Sequence, residues 1–175
     1  LDAKKLDHNI ENYLKTFNKK HRKNFLNDMK KFETFEVVVT KEGMEFFDIF
    51  TKFNVDRFGK DSDFLEEIFT GKVRNLFSYF SKKKELITVI IKDQDKVIAL
   101  EYGTQYNDVF YVINGGHDIS IKNLGKFLMF SQIREAMKTK TSTIDFLSGS
   151  PGCWKDLWNF EVEPYVDFRL KKVLI

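Results

Sequence analysis

At 175 residues the chain is long enough to bury a substantial core and short enough that one domain, residues 1–175, is the default expectation. Charged residues at 31% with only two prolines exclude a disordered or low-complexity chain, and 29 basic against 26 acidic residues, a net charge of +3, argue against a dedicated DNA binder. The single cysteine, Cys153, excludes an internal disulfide and has no histidine near it in sequence to activate it as a nucleophile; three scattered histidines without ligand companions predict no metal site. No apolar stretch reaches the roughly eighteen residues needed to span a bilayer, and no signal-peptide pattern is present, so the prediction is a cytoplasmic protein without a transmembrane segment. Phenylalanine occurs 19 times, which predicts a core of large rings.

Taken in chain order, residues 7–32 place Ile10, Tyr13, Leu14, Phe17, Leu26, Met29 and Phe32 at three- and four-residue spacings, the pattern of an amphipathic helix. Its lysine-rich side (Lys15, Lys19, Lys20, His21, Arg22, Lys23, Lys30, Lys31) reads either as a solvated helix face or as a surface for phosphate, RNA or anionic lipid. A β-branched stretch at 35–40 predicts a strand. Two helices follow. Phe46, Ile49, Phe50, Phe53 and Phe58 mark the first, closing at Gly59; the second, capped by Asp61 or Ser62, is expected to bury Leu65, Ile68, Phe69, Val73, Leu76, Phe77 and Phe80.

Three apolar runs, 86–91, 97–102 and 109–113, are separated by the short polar connections Asp93-Gln94-Asp95 and Tyr106-Asn107-Asp108, which predicts an antiparallel meander ended by Gly115-Gly116. A loop at 117–123 leads to a helix at 124–138. A strand at 143–147, a loop at 148–152, a short helix at 154–158 and a last strand at 165–170 complete the order. The helix between the strands at 109–113 and 143–147 permits a parallel crossover, so the predicted class is α+β with a mixed, mostly antiparallel twisted sheet flanked by helices.

The local sequence carries a family resemblance. Tyr111-Val-Ile-Asn-Gly-Gly-His-Asp118, Leu124-Gly-Lys-Phe-Leu128, Ile133 through Ala136, Ile144-Asp-Phe-Leu-Ser-Gly149, then Trp154-Lys155 and Trp158, set in this element order, resemble the GNAT acyltransferases. Within them they are closest to the subgroup related to Fem-type peptidoglycan aminoacyl transferases and polysaccharide-biosynthesis acetyltransferases. The resemblance implies a sheet whose central strands splay apart to admit the pantetheine of an acyl carrier. It also implies transfer from acyl-CoA, such as acetyl-CoA, or from aminoacyl-tRNA, to an amine or hydroxyl of a small-molecule, glycan or peptide acceptor. Fem-type relatives often carry two GNAT-like halves. A chain opening on Leu1 fits one half of such a protein, and a non-catalytic binding or scaffolding half-domain is the alternative reading; an RNA-contacting module using the lysine-rich helix is a third.

The residues suggest where the chemistry sits. A helix starting at Leu124 presents free backbone N–H groups and a positive dipole end, so Lys122, Asn123, Leu124, Gly125 and Lys126 form the candidate phosphate-binding set. Ordinary GNAT enzymes place glycine or alanine where Phe127 stands, a departure that sets a bulky side chain where backbone and phosphate should approach. The resemblance implies a role for Lys155 in stabilising developing negative charge. Asp145 lies in an apolar strand, on a solvated face or at the cleft, and His117 follows the glycine pair where a general base could sit, with Asp118 beside it.

Overall fold

The computed structural model describes residues 1–147 and 154–162. The amphipathic pattern at the N-terminus forms two helices instead of one, α1 (Ile10–Lys15) and α2 (Lys19–Lys30). The break has local causes that the periodicity hides. The Thr16 hydroxyl donates back to the Tyr13 carbonyl at 2.8 Å, and the Asn18 side chain, in extended backbone, accepts the His21 N–H at 2.9 Å as the N-cap of α2.

Strand β1 (Glu36–Thr40) is followed by a 3-10 turn (Met44–Phe46) and helix α3 (Phe47–Phe58), which closes at Gly59 with φ 55°. Helix α4 (Glu67–Lys82) has Glu66 at its N-cap position without a side-chain cap, in place of the expected Asp61 or Ser62. Its inward stripe is narrow. Val73, Phe77 and Phe80 face the sheet, while Leu65, Ile68 and Leu76, expected inside, are exposed, Ile68 by 74%. Positions 73, 77 and 80 follow the four-then-three spacing of one helix face, and 76 falls beside it.

The meander is longer than the apolar runs suggest: β2 (Leu86–Asp93), β3 (Lys96–Tyr106) and β4 (Val109–His117). Asn107 and Asp108 both take positive φ, 46° and 64°, as a tight right-twisting hairpin turn demands. Helix α5 (Leu124–Lys138) then crosses over to β5 (Thr143–Asp145). The sheet order is β1-β2-β3-β4-β5, antiparallel except for the parallel β4–β5 pair, the mixed α+β sheet expected. A 3-10 helix (Trp154–Trp158) follows; the loop at 148–152 with Cys153 and the last strand at 165–170 lie outside the described residues.

The core lies in two layers, one on each face of the sheet. On one face α1, α2 and α5 enclose Tyr13, Phe17, Phe25, Leu124, Leu128 and Ile133; on the other α3 and α4 enclose Phe47, Phe50, Phe77 and Tyr102. Ring against ring dominates both, as in the edge-on pairs Phe50–Tyr102 at 5.2 Å and Phe25–Trp158 at 5.4 Å.

Candidate active site

Strands β4 and β5 run together over only three residue pairs, Val109 with Thr143, Phe110 with Ile144 and Tyr111 with Asp145. Beyond Tyr111, β4 continues along β3 as far as His117, but β5 has ended. The strands part there. A cavity of about 540 Å³ fills the gap, with walls from both layers: Asn54, Arg57 and Phe58 of α3, Leu128 and Met129 of α5, Val112 to Gly115 of β4, and Phe146, Lys155 and Trp158 beyond β5.

Gly115 and Gly116 do not end β4. They pair with Glu101 and Leu100 of β3, and each lacks a side chain for a different reason. A Cβ on Gly116 would meet Phe53 Cβ at 2.8 Å and the Phe50 carbonyl oxygen at 3.2 Å, so this glycine lets α3 lie directly on the strand. A Cβ on Gly115 would lie 3.1 Å from Cβ, Cγ and Cδ of Glu101, so this one leaves room for that side chain to lie across β4 toward the gap. Glu101 is only 6% exposed. Burial pushes its carboxyl up to about 8 from the ordinary 4.5, with the Lys155 charge pulling the other way.

The start of α5 also lines the cavity. Asn123 holds a left-handed backbone, φ 67°, at the N-cap position, and its side chain makes no capping bond. The Lys126 and Phe127 N–H groups both turn back to the Asn123 carbonyl at 3.1 Å. Asn123, Gly125 and Lys126 line the cavity, and the Lys126 ammonium donates to Asp28 Oδ2 of α2 at 3.0 Å. Leu124 does not join them: its side chain is wholly buried and its N–H donates to the Ile121 carbonyl at 3.2 Å. Lys122 is exposed and is not part of the lining. Phe127 points away, stacked on Phe32 at 4.9 Å, so the bulky residue at this turn does not obstruct the helix end.

His117 lines the cavity and packs on Gly125, where an added Cβ would sit 2.6 Å from the ring. Burial, reinforced by the Arg57 charge, lowers its pKa below the ordinary value, leaving a neutral imidazole at pH 7. Asp118 beside it is a turn residue, accepting from the Ser120 N–H at 3.0 Å and hydroxyl at 2.6 Å. Lys155 also lines the cavity; its ammonium donates to the carbonyls of Phe146 and Leu147, the latter at 3.3 Å. Asp145 is not in the lining, and its carboxylate accepts the Leu147 N–H at 2.7 Å, fixing the turn that follows β5. Among the described residues no group of three or more His, Cys, Asp or Glu could hold a metal ion, and no helix is long and apolar enough to cross a membrane.

Glu101, Arg57, Asn54 and Asn114 were not singled out from the sequence. For Glu101 a signal existed, a carboxylate in the middle of the apolar run 97–102, the same reasoning that drew attention to Asp145.

A splayed parallel pair after a three-strand meander, with an uncapped helix end facing the gap, defines an acyltransferase fold. The family described as Acetyltransferase (GNAT) domain matches residues 19–156, and the chain belongs to it. Among solved structures, "a possible acetyltransferase" from Clostridium difficile 630 is 17% identical, covering 81% of this chain and 99% of its own, with a TM-score of 0.56. A "predicted acetyltransferase with acetyl-CoA" from Clostridium acetobutylicum is 10% identical over 77% of this chain and 96% of its own, TM-score 0.57. An aminoglycoside N-acetyltransferase in complex with CoA is 13% identical over 79% and 95%, TM-score 0.52. These similarities are of fold. Sequence comparison with curated proteins finds no match.

Proposed function

We propose that the cavity takes acyl-CoA, with acetyl-CoA as the simplest donor, and that the protein transfers the acyl group to an amine or hydroxyl of a small-molecule, glycan or peptide acceptor. The observation that carries this is the parting of β4 from β5 beyond Tyr111, which among the described residues leaves an open gap in the sheet instead of one plugged by phenylalanines. An open gap favours an enzyme over a scaffolding half-domain. The start of α5 supports a pyrophosphate through the positive end of the helix dipole and Lys126. The apolar walls of Val112, Leu128, Met129 and Trp158 suit the pantetheine arm, and the presence of Lys155 in the lining supports a role in offsetting charge that develops on the thioester carbonyl. The relatives that hold CoA and acetyl-CoA in this fold favour that donor over aminoacyl-tRNA. The likeness to Fem-type and polysaccharide-modifying enzymes suggests a cell-envelope or glycan acceptor.

Calorimetric titration with CoA and acetyl-CoA tests the reading. Binding weakened by Lys126→Ala and Lys155→Ala, and left within about twofold by Lys122→Ala outside the lining, is the expected outcome. Absence of binding to the native chain would refute a CoA-dependent activity.

A further inference from the structure

A second cavity, of about 530 Å³, lies where α2, the turn after it, β1 and α5 meet, and among the described residues it shares no lining side chain with the first. Its lining is mostly aromatic. Phe32 stacks on Phe127 at 4.9 Å, Phe35 lies 5.7 Å from Phe32, and Met29 and Phe130 join them. Of the apolar lining only Leu26 is exposed, by 39%. A cavity of this size and apolar character suits a small molecule.

Three charged residues stand among these rings, and two are cations short of partners. Lys30 has no carboxylate within ion-pair distance among the described residues. Arg134 has a buried Nε that makes no hydrogen bond; the carboxylate paired with it, Glu135 at 3.4 Å, already accepts from the Lys138 ammonium on both oxygens, at 2.8 and 2.7 Å. The acid in the lining is Glu33, which is exposed. Lys19 and Lys23 fall on the same stripe of α2 as Leu26 and Lys30, by three- and four-residue steps, so the lysine-rich side of this helix carries its positive field to the mouth of the cavity.

We infer that this cavity binds an amphipathic carboxylate, a medium-chain fatty acid being its simplest form, with the chain among the rings and the head group on Lys30 and Arg134. The guanidinium offers paired N–H donors that match a carboxylate, and such charge-assisted bonds are the strong ones. A neutral ligand leaves those donors unmet, and a cationic one is repelled. The recess decides between a single molecule and a membrane. A bilayer takes up apolar side chains that project, whereas Met29, Phe32 and Phe127 are buried and can be reached only by a chain that enters.

The test is calorimetric titration of the full chain with decanoate, decanol and decyltrimethylammonium, with CoA absent or saturating. Thermal unfolding follows the fold, and methyl NMR shifts of Leu26, Met29 and Val37 report the site. The expected result is decanoate binding at least about tenfold tighter than decanol, with those methyls moved, Kd unchanged by CoA and no binding of the cation. Lys30→Gln combined with Arg134→Gln should bring decanoate down to the affinity of decanol with the fold retained, and Val37→Trp, which fills the cavity, should weaken both. No decanoate binding up to about 1 mM, equal affinity for decanol, an unaffected double variant, or displacement by CoA with the methyls unmoved would each overturn the inference. Capture of the chain on phosphatidylglycerol vesicles without binding of free decanoate would assign the lysine stripe to a membrane surface instead.

Discussion

Gly116 of β4 and Phe53 of α3 approach so closely that a Cβ on the glycine would sit 2.8 Å from the Cβ of the phenylalanine. Neither partner has room to yield, because Phe53 is buried and the Phe50 carbonyl oxygen lies 3.2 Å from the same point. Gly116→Ala should therefore destabilise the protein by about 2 kcal/mol through overpacking and should lift the end of α3 that carries Asn54 and Arg57. Urea unfolding checks the first part. Exchange of the β4 amides checks the second.

Glu101 should make stability depend on pH in a particular window. Its folded pKa of about 8 lies above the ordinary 4.5, so the folded state keeps a proton that the unfolded chain has released. Below 4.5 both states hold the proton and nothing is lost. Between 4.5 and 8 the unfolded chain binds fewer protons, and stability falls as pH rises, by on the order of 5 kcal/mol in all, before levelling off above 8. Glu101→Gln should abolish this slope and leave the variant more stable than the native chain at pH 8. Equal pH dependence in the two proteins, measured by denaturant midpoints, would contradict the burial of this carboxyl.

The hydroxyl of Tyr13, wholly buried in α1, donates to the Trp158 carbonyl at 2.7 Å and so ties the N-terminal helix to the 3-10 helix that presents Lys155. Tyr13→Phe keeps the ring and orphans the carbonyl. The expected cost is about 1–2 kcal/mol, with a several-fold weaker Kd for acetyl-CoA as Lys155 loses its support. Denaturation and calorimetry on the same variant separate the two effects.

Asp28 holds two lysines, Lys126 at 3.0 Å and Lys31 at 3.2 Å, and these bonds lower its pKa below the ordinary carboxylate value. The contribution of this cluster to stability is present above that ordinary value and fades as pH falls through the lowered one. Because Asp28 competes with any incoming phosphate for Lys126, Asp28→Asn should tighten CoA binding by about two- to fivefold at low salt, with the gain shrinking as salt is raised. Looser binding would mean that Asp28 aims Lys126 and does not compete for its charge.

Most of the element order was legible in the sequence because strands and helices here obey their own local rules. The β-branched runs are short, polar turns with Asn and Asp separate them, and α5 shows a clear start. What local pattern could not supply was the effect of neighbours. Gly115-Gly116 looks like a stop signal, yet β3 keeps pairing through it, and the glycines answer to a carboxylate on one face and a helix on the other. Ile68 and Leu76 look like core, but α4 offers the sheet only one narrow stripe. Of the residues read as candidates, His117, Asn123, Gly125, Lys126 and Lys155 converge on the cavity, while Asp145 and Lys122 lie off its lining. A carboxylate inside the apolar run 97–102 marks Glu101 as unusual, but nothing in its strand reveals that the residue across from it is a glycine beside a gap.

Among the described residues, the early end of β5 leaves β4 from Val112 to His117 with a strand partner on one side only. That edge of β4 lines the gap. A ligand arm that itself carries amide bonds can take that place, completing the sheet as a sixth strand would, though it arrives from solution and leaves again. On the proposed acyl-CoA reading, binding would finish the protein's own secondary structure, and the β4 amides should be the ones whose hydrogen exchange slows most when the gap is filled.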